Sequence, residues 1–155
     1  MSNELQTELR QRKPFASIAE EAHLNLSRTE SQLQAAMEAV LKPYGISGTQ
    51  YNVLRILRGS AEEGLCRNEI RDRLINRMPD VTRLLDRMEE AGLVVRHRSG
   101  DDRRQVSTHL TAKGRELVDS LDVPVHEGHQ RNLGHLGDEK LRELIELLTL
   151  ARHPG

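Results

Sequence analysis

Aromatic side chains are almost missing from this chain, which has no Trp, one Phe and two Tyr among its 155 residues. Its core must therefore be assembled from Leu, Ile, Val, Ala and Met, material that favours packed helices over a sheet sandwich. Cysteine is nearly absent as well. Cys66 stands alone, which excludes an intrachain disulfide and a thiolate metal cluster. No apolar run approaches membrane-spanning length, and the opening Met1-Ser2-Asn3-Glu4 is polar with no signal core. These absences predict a soluble, cytoplasmic protein with no membrane contact. Lysine is scarce too: only Lys13, Lys42, Lys113 and Lys140 among 23 basic residues, so 19 are Arg. Arg is the better residue for forked contacts to phosphates and guanine edges. The net charge of -1 by itself gives no sign of a nucleic-acid partner. A Gly-rich phosphate loop, a G-x-S-x-G elbow and a paired catalytic carboxylate motif are all missing, so the chain reads as a non-enzyme needing no cofactor.

What is present is helical periodicity. The length suits one domain, 1–155, with polar residues 1–14 as a loosely held arm. Ser17-Ile18-Ala19-Glu20 has the form of a capping box. Beyond it Ala22, Leu26, Leu33, Met37, Val40 and Leu41 recur at helical spacing up to Pro43 and Gly45. That stripe is sparse and needs an outside surface to cover it. Ser47-Gly48-Thr49-Gln50 is a second capping box, opening a helix with Val53, Leu54 and Leu57 inward and Arg55 and Arg58 outward. A short helix follows from about Arg67 to Leu74, with Ile70 and Leu74 on one face.

Met78-Pro79 predicts the start of the next helix, since Pro suits the first helical position. Val81, Leu84, Leu85, Met88 and Ala91 form its inward face, Thr82, Arg83, Asp86 and Glu90 the outward one, and Gly92 its end. The period then becomes strand-like over Leu93 to Arg98, with a turn at Ser99 to Asp102 and a return strand from Gln105 to Leu110. Thr111 caps a further helix that Pro124 should bend or interrupt. Asp138 to Arg152 closes the chain with Leu141, Leu144, Ile145, Leu148 and Ala151 on one face.

Two short helices with a tight turn at about Leu74 to Arg77, followed by a hairpin, describe a winged helix-turn-helix. The second helix would place Asn76, Arg77, Thr82 and Arg83 in a DNA major groove, where Arg and Asn read guanine and adenine edges. Arg96, Arg98, Arg103 and Arg104 crowd the hairpin, and like charges on one ribbon repel unless something acidic arrives. Asp101 and Asp102 can orient these guanidinium groups, with the outermost Arg reaching a minor groove. Over residues 67–104 ten Arg face eight Asp and Glu, a small basic bias on the predicted DNA side.

Asp86-Arg87-Met88-Glu89-Glu90-Ala91-Gly92-Leu93-Val94, then Asp102-Arg103-Arg104, then Leu110-Thr111-Ala112-Lys113-Gly114, resembles the hallmark of the MarR (multiple antibiotic resistance regulator) family. Gln50 to Leu57 resembles that family's second helix, and the similarity covers roughly residues 16–152. The resemblance implies a fold that is mainly α with a small antiparallel β-hairpin wing, a winged helix-turn-helix plus a helical dimerisation region. It implies a DNA-binding lobe at about 46–111 and dimerisation helices at about 16–42 and 112–152. It also implies a homodimeric transcription regulator, commonly a repressor, binding double-stranded DNA at a pseudo-palindromic operator. Asp102 would pin Arg104 for minor-groove insertion, Arg98 and Arg103 would meet phosphates, and a small-molecule effector of unknown identity would release the DNA. The sequence departs from the pattern at Met78, which stands where a capping Ser, Thr, Asp or Asn is usual, with Asn76 or Asp80 available to compensate.

Several residues carry competing readings. Cys66 precedes a helix start, where a dipole can activate a thiol for redox sensing, but a buried structural Cys is the commoner case. His126 and His129 make an H-x-x-H, with His23 and His135 elsewhere; solvated histidines are the commoner outcome there, and no metal site is expected. His23, Leu26, Tyr44 and Tyr51 fall near the family's effector crevice and read as packing residues. The alternative function is a winged-helix protein-interaction module without operator-specific DNA binding, which would not require the Arg-tipped wing.

Overall fold

A computed structural model describes residues 4–60, 62–98 and 105–155. The chain divides after Ala36 into two compact units. In the first, α1 (Glu4–Glu8) precedes α2 (Ile18–Leu41), whose last turns belong to the second unit. The Ser17 hydroxyl accepts from Glu20 N–H at 3.0 Å, as a capping box requires. The Glu20 carboxylate, however, receives the Ala16 amide rather than that of Ser17. Arg28 and Glu8 meet at 3.6 Å as a half-exposed ion pair. Ile18 is 87% exposed and Leu26 47%, so the apolar stripe of α2 is uncovered at its start.

The second unit holds the main core. The Ser47–Gln50 capping box opens α3 (Gly48–Arg58) with both expected bonds: Gln50 N–H to Ser47 Oγ at 3.2 Å, and Ser47 N–H to Gln50 Oε1 at 3.0 Å. Val53, Leu54 and Leu57 are buried, as the periodicity predicts. Arg58 is not free on the outside. It donates to Asp122 at 2.8 and 3.0 Å and to Asp119 at 2.9 Å, tying α3 to the helices that follow the wing.

Next come α4 (Arg67–Arg73), buried through Ile70, and α5 (Thr82–Glu90), buried through Leu85 and Met88. The wing strands are β1 (Val94–Arg98) and β2 (Val106–Leu110), antiparallel with Val94 opposite Leu110 and Arg98 opposite Val106. Leu65 adds a one-residue bridge to Thr108, giving and receiving backbone bonds at 3.1 and 2.8 Å. Helix α6 (Ala112–Ser120) ends just before α7 (Asp122–Leu133), with Pro124 in the first turn of α7. Helix α8 (Gly137–Arg152) buries no residue fully; Ile145, Leu147 and Leu150 are 58–69% exposed. Among the described residues no helix is long and apolar enough to cross a membrane.

The junction of α5, wing and α6 explains two sequence motifs. Gly92 adopts φ +74° and closes α5: Gly92 N–H bonds Glu89 O at 2.9 Å and Leu93 N–H bonds Met88 O at 3.0 Å. Thr111 then works in both directions. Its Oγ1 accepts from Gly114 N–H at 3.0 Å to cap α6, and its hydroxyl donates to Gly92 O at 2.6 Å. Gly114 lies so close to Leu93 that a Cβ there would sit 2.1 Å from the Leu93 carbonyl oxygen. The L-T-x-x-G pattern is thus a packing requirement where α6 crosses the end of α5.

Candidate nucleic-acid interface

Thr82 and Arg83 begin α5, with Arg83 fully outward and Thr82 half-buried toward the wing. The helix starts at Thr82, not at Met78-Pro79, which corrects the sequence expectation. The cause is Asp80, whose Oδ1 accepts the Thr82 N–H at 2.8 Å and makes a local turn ahead of the helix. Those bonds from Thr82, with Arg83 and Arg67 nearby, hold the Asp80 carboxyl below its ordinary range. Asp80 therefore supplies the compensation for Met78, which packs against the core instead. The connection between α4 and α5 is correspondingly longer than the expected tight turn. Asn76 and Arg77 are exposed within it and lie off the helix. Asn52 on α3 anchors this connection, its Oδ1 receiving Ile75 N–H at 2.9 Å.

The wing arginines separate into two kinds. Arg96 is not left to repel its neighbours: it contacts Asp86 at 2.6 Å and Glu89 at 3.1 Å, and its own N–H donates to Glu89 at 3.0 Å. These bonds hold the Glu89 carboxyl below its ordinary range and fasten β1 to α5. Asp86, expected on the outward face, is therefore half of a clamp. Arg98 ends β1 exposed, and Arg83 and Arg87 are exposed on α5; none makes an ion pair with any described residue. The expectations for Asp102, Arg103 and Arg104 lie outside the described residues.

A cleft of about 570 Å³ runs between α4, the first turn of α5 and the wing, lined in part by Arg67, Asn68, Thr82, Arg96 and Thr108. Cys66 also lines it, half-buried at the start of α4, where its N–H bonds the Glu69 carboxylate at 2.8 Å. Tyr51 is buried and so pushed up from its ordinary pKa, with the Arg55 guanidinium 6.0 Å from its ring. Tyr44, His23, His126, His129 and His135 are exposed.

The geometry, two short helices with a hairpin fastened to the second, meets its counterpart among known proteins. Residues 35–121 match the family described as Transcriptional regulator SarA/Rot. The HTH-type transcriptional regulator YkoM of Bacillus subtilis is 32% identical over 111 residues, covering 71% of this chain and 70% of that protein. A MarR transcription factor from Planctomyces limnophilus is 42% identical, covers 88% of this chain and 99% of its own, and superposes with a TM-score of 0.68. The chain belongs to the MarR family. A third MarR-like relative is the transcriptional repressor CouR of Rhodococcus jostii, solved bound to a 23-mer DNA duplex. It is 26% identical over 92% of this chain and 100% of its own, with a TM-score of 0.77. The MarR winged helix-turn-helix is thus the fold, with β1–β2 as its wing, and DNA-binding transcription regulation is the activity class.

Sequence reasoning missed two features. The Arg96 clamp was signalled by Asp86 and Glu89 one helical position-set apart, at i and i+3, ahead of a strand carrying Arg. The Asp80 turn was signalled by Asp two residues before Thr82.

Proposed function

We propose that this MarR-family protein is a cytoplasmic repressor that binds a pseudo-palindromic operator as a homodimer. The observation that carries the DNA-facing part is the division among the arginines. Arg96 is neutralised inside the fold, while Arg83, Arg87 and Arg98 stand exposed around the recognition helix and wing without an ion-pair partner among the described residues. Unpaired guanidinium groups on one face gain most from phosphate and guanine oxygens.

In this reading residues 46–111 form the DNA-binding lobe. Arg83 and Thr82 enter the major groove from the start of α5, and Asn76 and Arg77 approach from the connection before it. Arg98 and Arg103 meet phosphates, and Arg104, held by Asp102, reads the minor groove. Residues 16–42 and 112–152 supply the dimer surface. The exposed Leu147 and Leu150, three residues apart on one side of α8, support that assignment, because an exposed apolar helix stripe is normally covered by another chain. CouR, a repressor by name and DNA-bound in its structure, supports the repressor role by likeness. A small-molecule effector would act by changing the spacing of the two recognition helices.

Selection from random duplexes tests the reading. The expected product is a two-fold symmetric site with half-site centres about one helical turn apart. Failure to enrich any sequence would favour a winged-helix module that binds protein instead.

A further inference from the structure

The sequence drew attention to the helical H-x-x-H of His126 and His129, yet the structure brings together a different pair. His97 on β1 and His109 on β2 come from opposite strands of the wing, with ring centroids 5.2 Å apart and planes inclined by 58°. In the register His97 faces Ser107 and Val95 faces His109, so the two imidazoles are diagonal neighbours on one surface of the ribbon.

We propose that His97 and His109 form a divalent-metal site for Zn(II) on the wing. The spacing fits. A Zn–N bond is about 2.0 Å and a ring nitrogen lies about 1.2 Å from its centroid, so two imidazoles on a tetrahedral ion have centroids roughly 5 Å apart. The surroundings of His109 also suit a ligand. Its Nε2 lies 3.0 Å from Ser107 Oγ, and the Nε2–Cε1 edge packs against the backbone at Gly64. With the Ser107 hydroxyl proton directed to His97 O at 3.5 Å, its Oγ can accept from His109 Nε2–H, and in that tautomer Nδ1 keeps the lone pair a metal needs.

Gly64 is part of this construction. It adopts φ +74°, and a Cβ there would sit 2.6–2.7 Å from His109 Cε1 and Nε2. Glycine thus lets the backbone at residue 64 press against the His109 ring. Among the described residues no third His, Cys, Asp or Glu joins the pair. Placed on the wing, a bound dication adds positive charge beside Arg98, and so strengthens the hold on DNA. That last step rests on the DNA-binding reading; the metal site does not.

Calorimetric titration of the full-length protein with ZnCl2, without DNA, reads the site directly. The expected result is uptake of Zn(II) that weakens roughly tenfold or more in His97→Gln and in His109→Gln. Uptake should be unchanged in a His126→Gln/His129→Gln double variant. His97 is exposed, so its replacement leaves the core intact even if His109→Gln disturbs the loop packing. Zinc should also shift the His97 and His109 imidazole signals in NMR spectra. Titration curves identical in wild type and His97→Gln, or no uptake at all, would overturn the site. Addition of zinc to a selected DNA complex should raise affinity in wild type but not in His97→Gln; equal affinity in zinc-loaded wild type would overturn the coupling to DNA alone.

Discussion

Arg96 of the wing and Asp86 of α5 are joined by a 2.6 Å hydrogen-bonded ion pair, and Glu89 one turn along binds the same guanidinium. The clamp decides which arginine belongs to the fold. Arg96→Ala should lower unfolding free energy by about 1 kcal/mol, allowing for solvent screening of the half-exposed carboxylates. Its effect on the salt slope of DNA binding should be nil, because Arg96 neutralises no phosphate. Urea denaturation and an anisotropy salt series measure the two separately. A slope reduced by about one unit would place Arg96 on DNA instead.

The same carboxylates give an acid signature. Arg96 holds Glu89 low, and Arg58 holds Asp122 low, chiefly through side-chain hydrogen bonds. A carboxyl depressed in the folded state stabilises it above the unfolded pKa and loses that contribution as pH falls through the folded value. Wild-type Tm should therefore drop on acidification below about pH 4, and drop less in an Arg58→Ala/Arg96→Ala variant, which starts lower. Parallel Tm curves for the two proteins would show that these pairs contribute nothing.

Gly114→Ala should be among the most damaging small substitutions in the chain. The added methyl meets the Leu93 carbonyl at 2.1 Å, in a junction where backbone on both sides is hydrogen-bonded. A loss of roughly 3 kcal/mol or more is expected. Gly45→Ala is the comparison: φ is +72° with ψ 21°, the left-handed helical region, but nothing lies within 4 Å, so only backbone strain of about 1 kcal/mol applies. Denaturant midpoints that rank the two variants in the opposite order would refute the packing account.

Much of this architecture can be read from residue order, and the exceptions share a cause. The Ser47–Gln50 capping box, the wing strands and the break before Pro124 depend on local chemistry within a few residues, and each is present. The start of α5 is also local, but two signals compete there. Pro79 invites a helix, while the Asp80 carboxylate captures the Thr82 amide and delays it. Leu65 pairing with Thr108 leaves no period to detect, since one bridged residue makes no pattern. Arg58 reaching Asp119 and Asp122 is a contact across more than sixty residues, invisible without the fold.

The exposed apolar residues on α8 predict an assembly. Leu150→Glu, at a position 69% exposed in the chain, should leave helical content unchanged while halving the mass seen by sedimentation. A wild-type protein that already sediments as a monomer would remove the basis for a two-fold operator.

If the arginines around α5 that lack an ion-pair partner among the described residues contact DNA, Arg83→Ala should expose it. Anisotropy with the selected operator and with a scrambled duplex, each across a salt series, separates base reading from charge. Arg83→Ala should lose about 1–3 kcal/mol on the operator and much less on the scrambled duplex. Operator affinity indistinguishable from wild type at every salt concentration would contradict it.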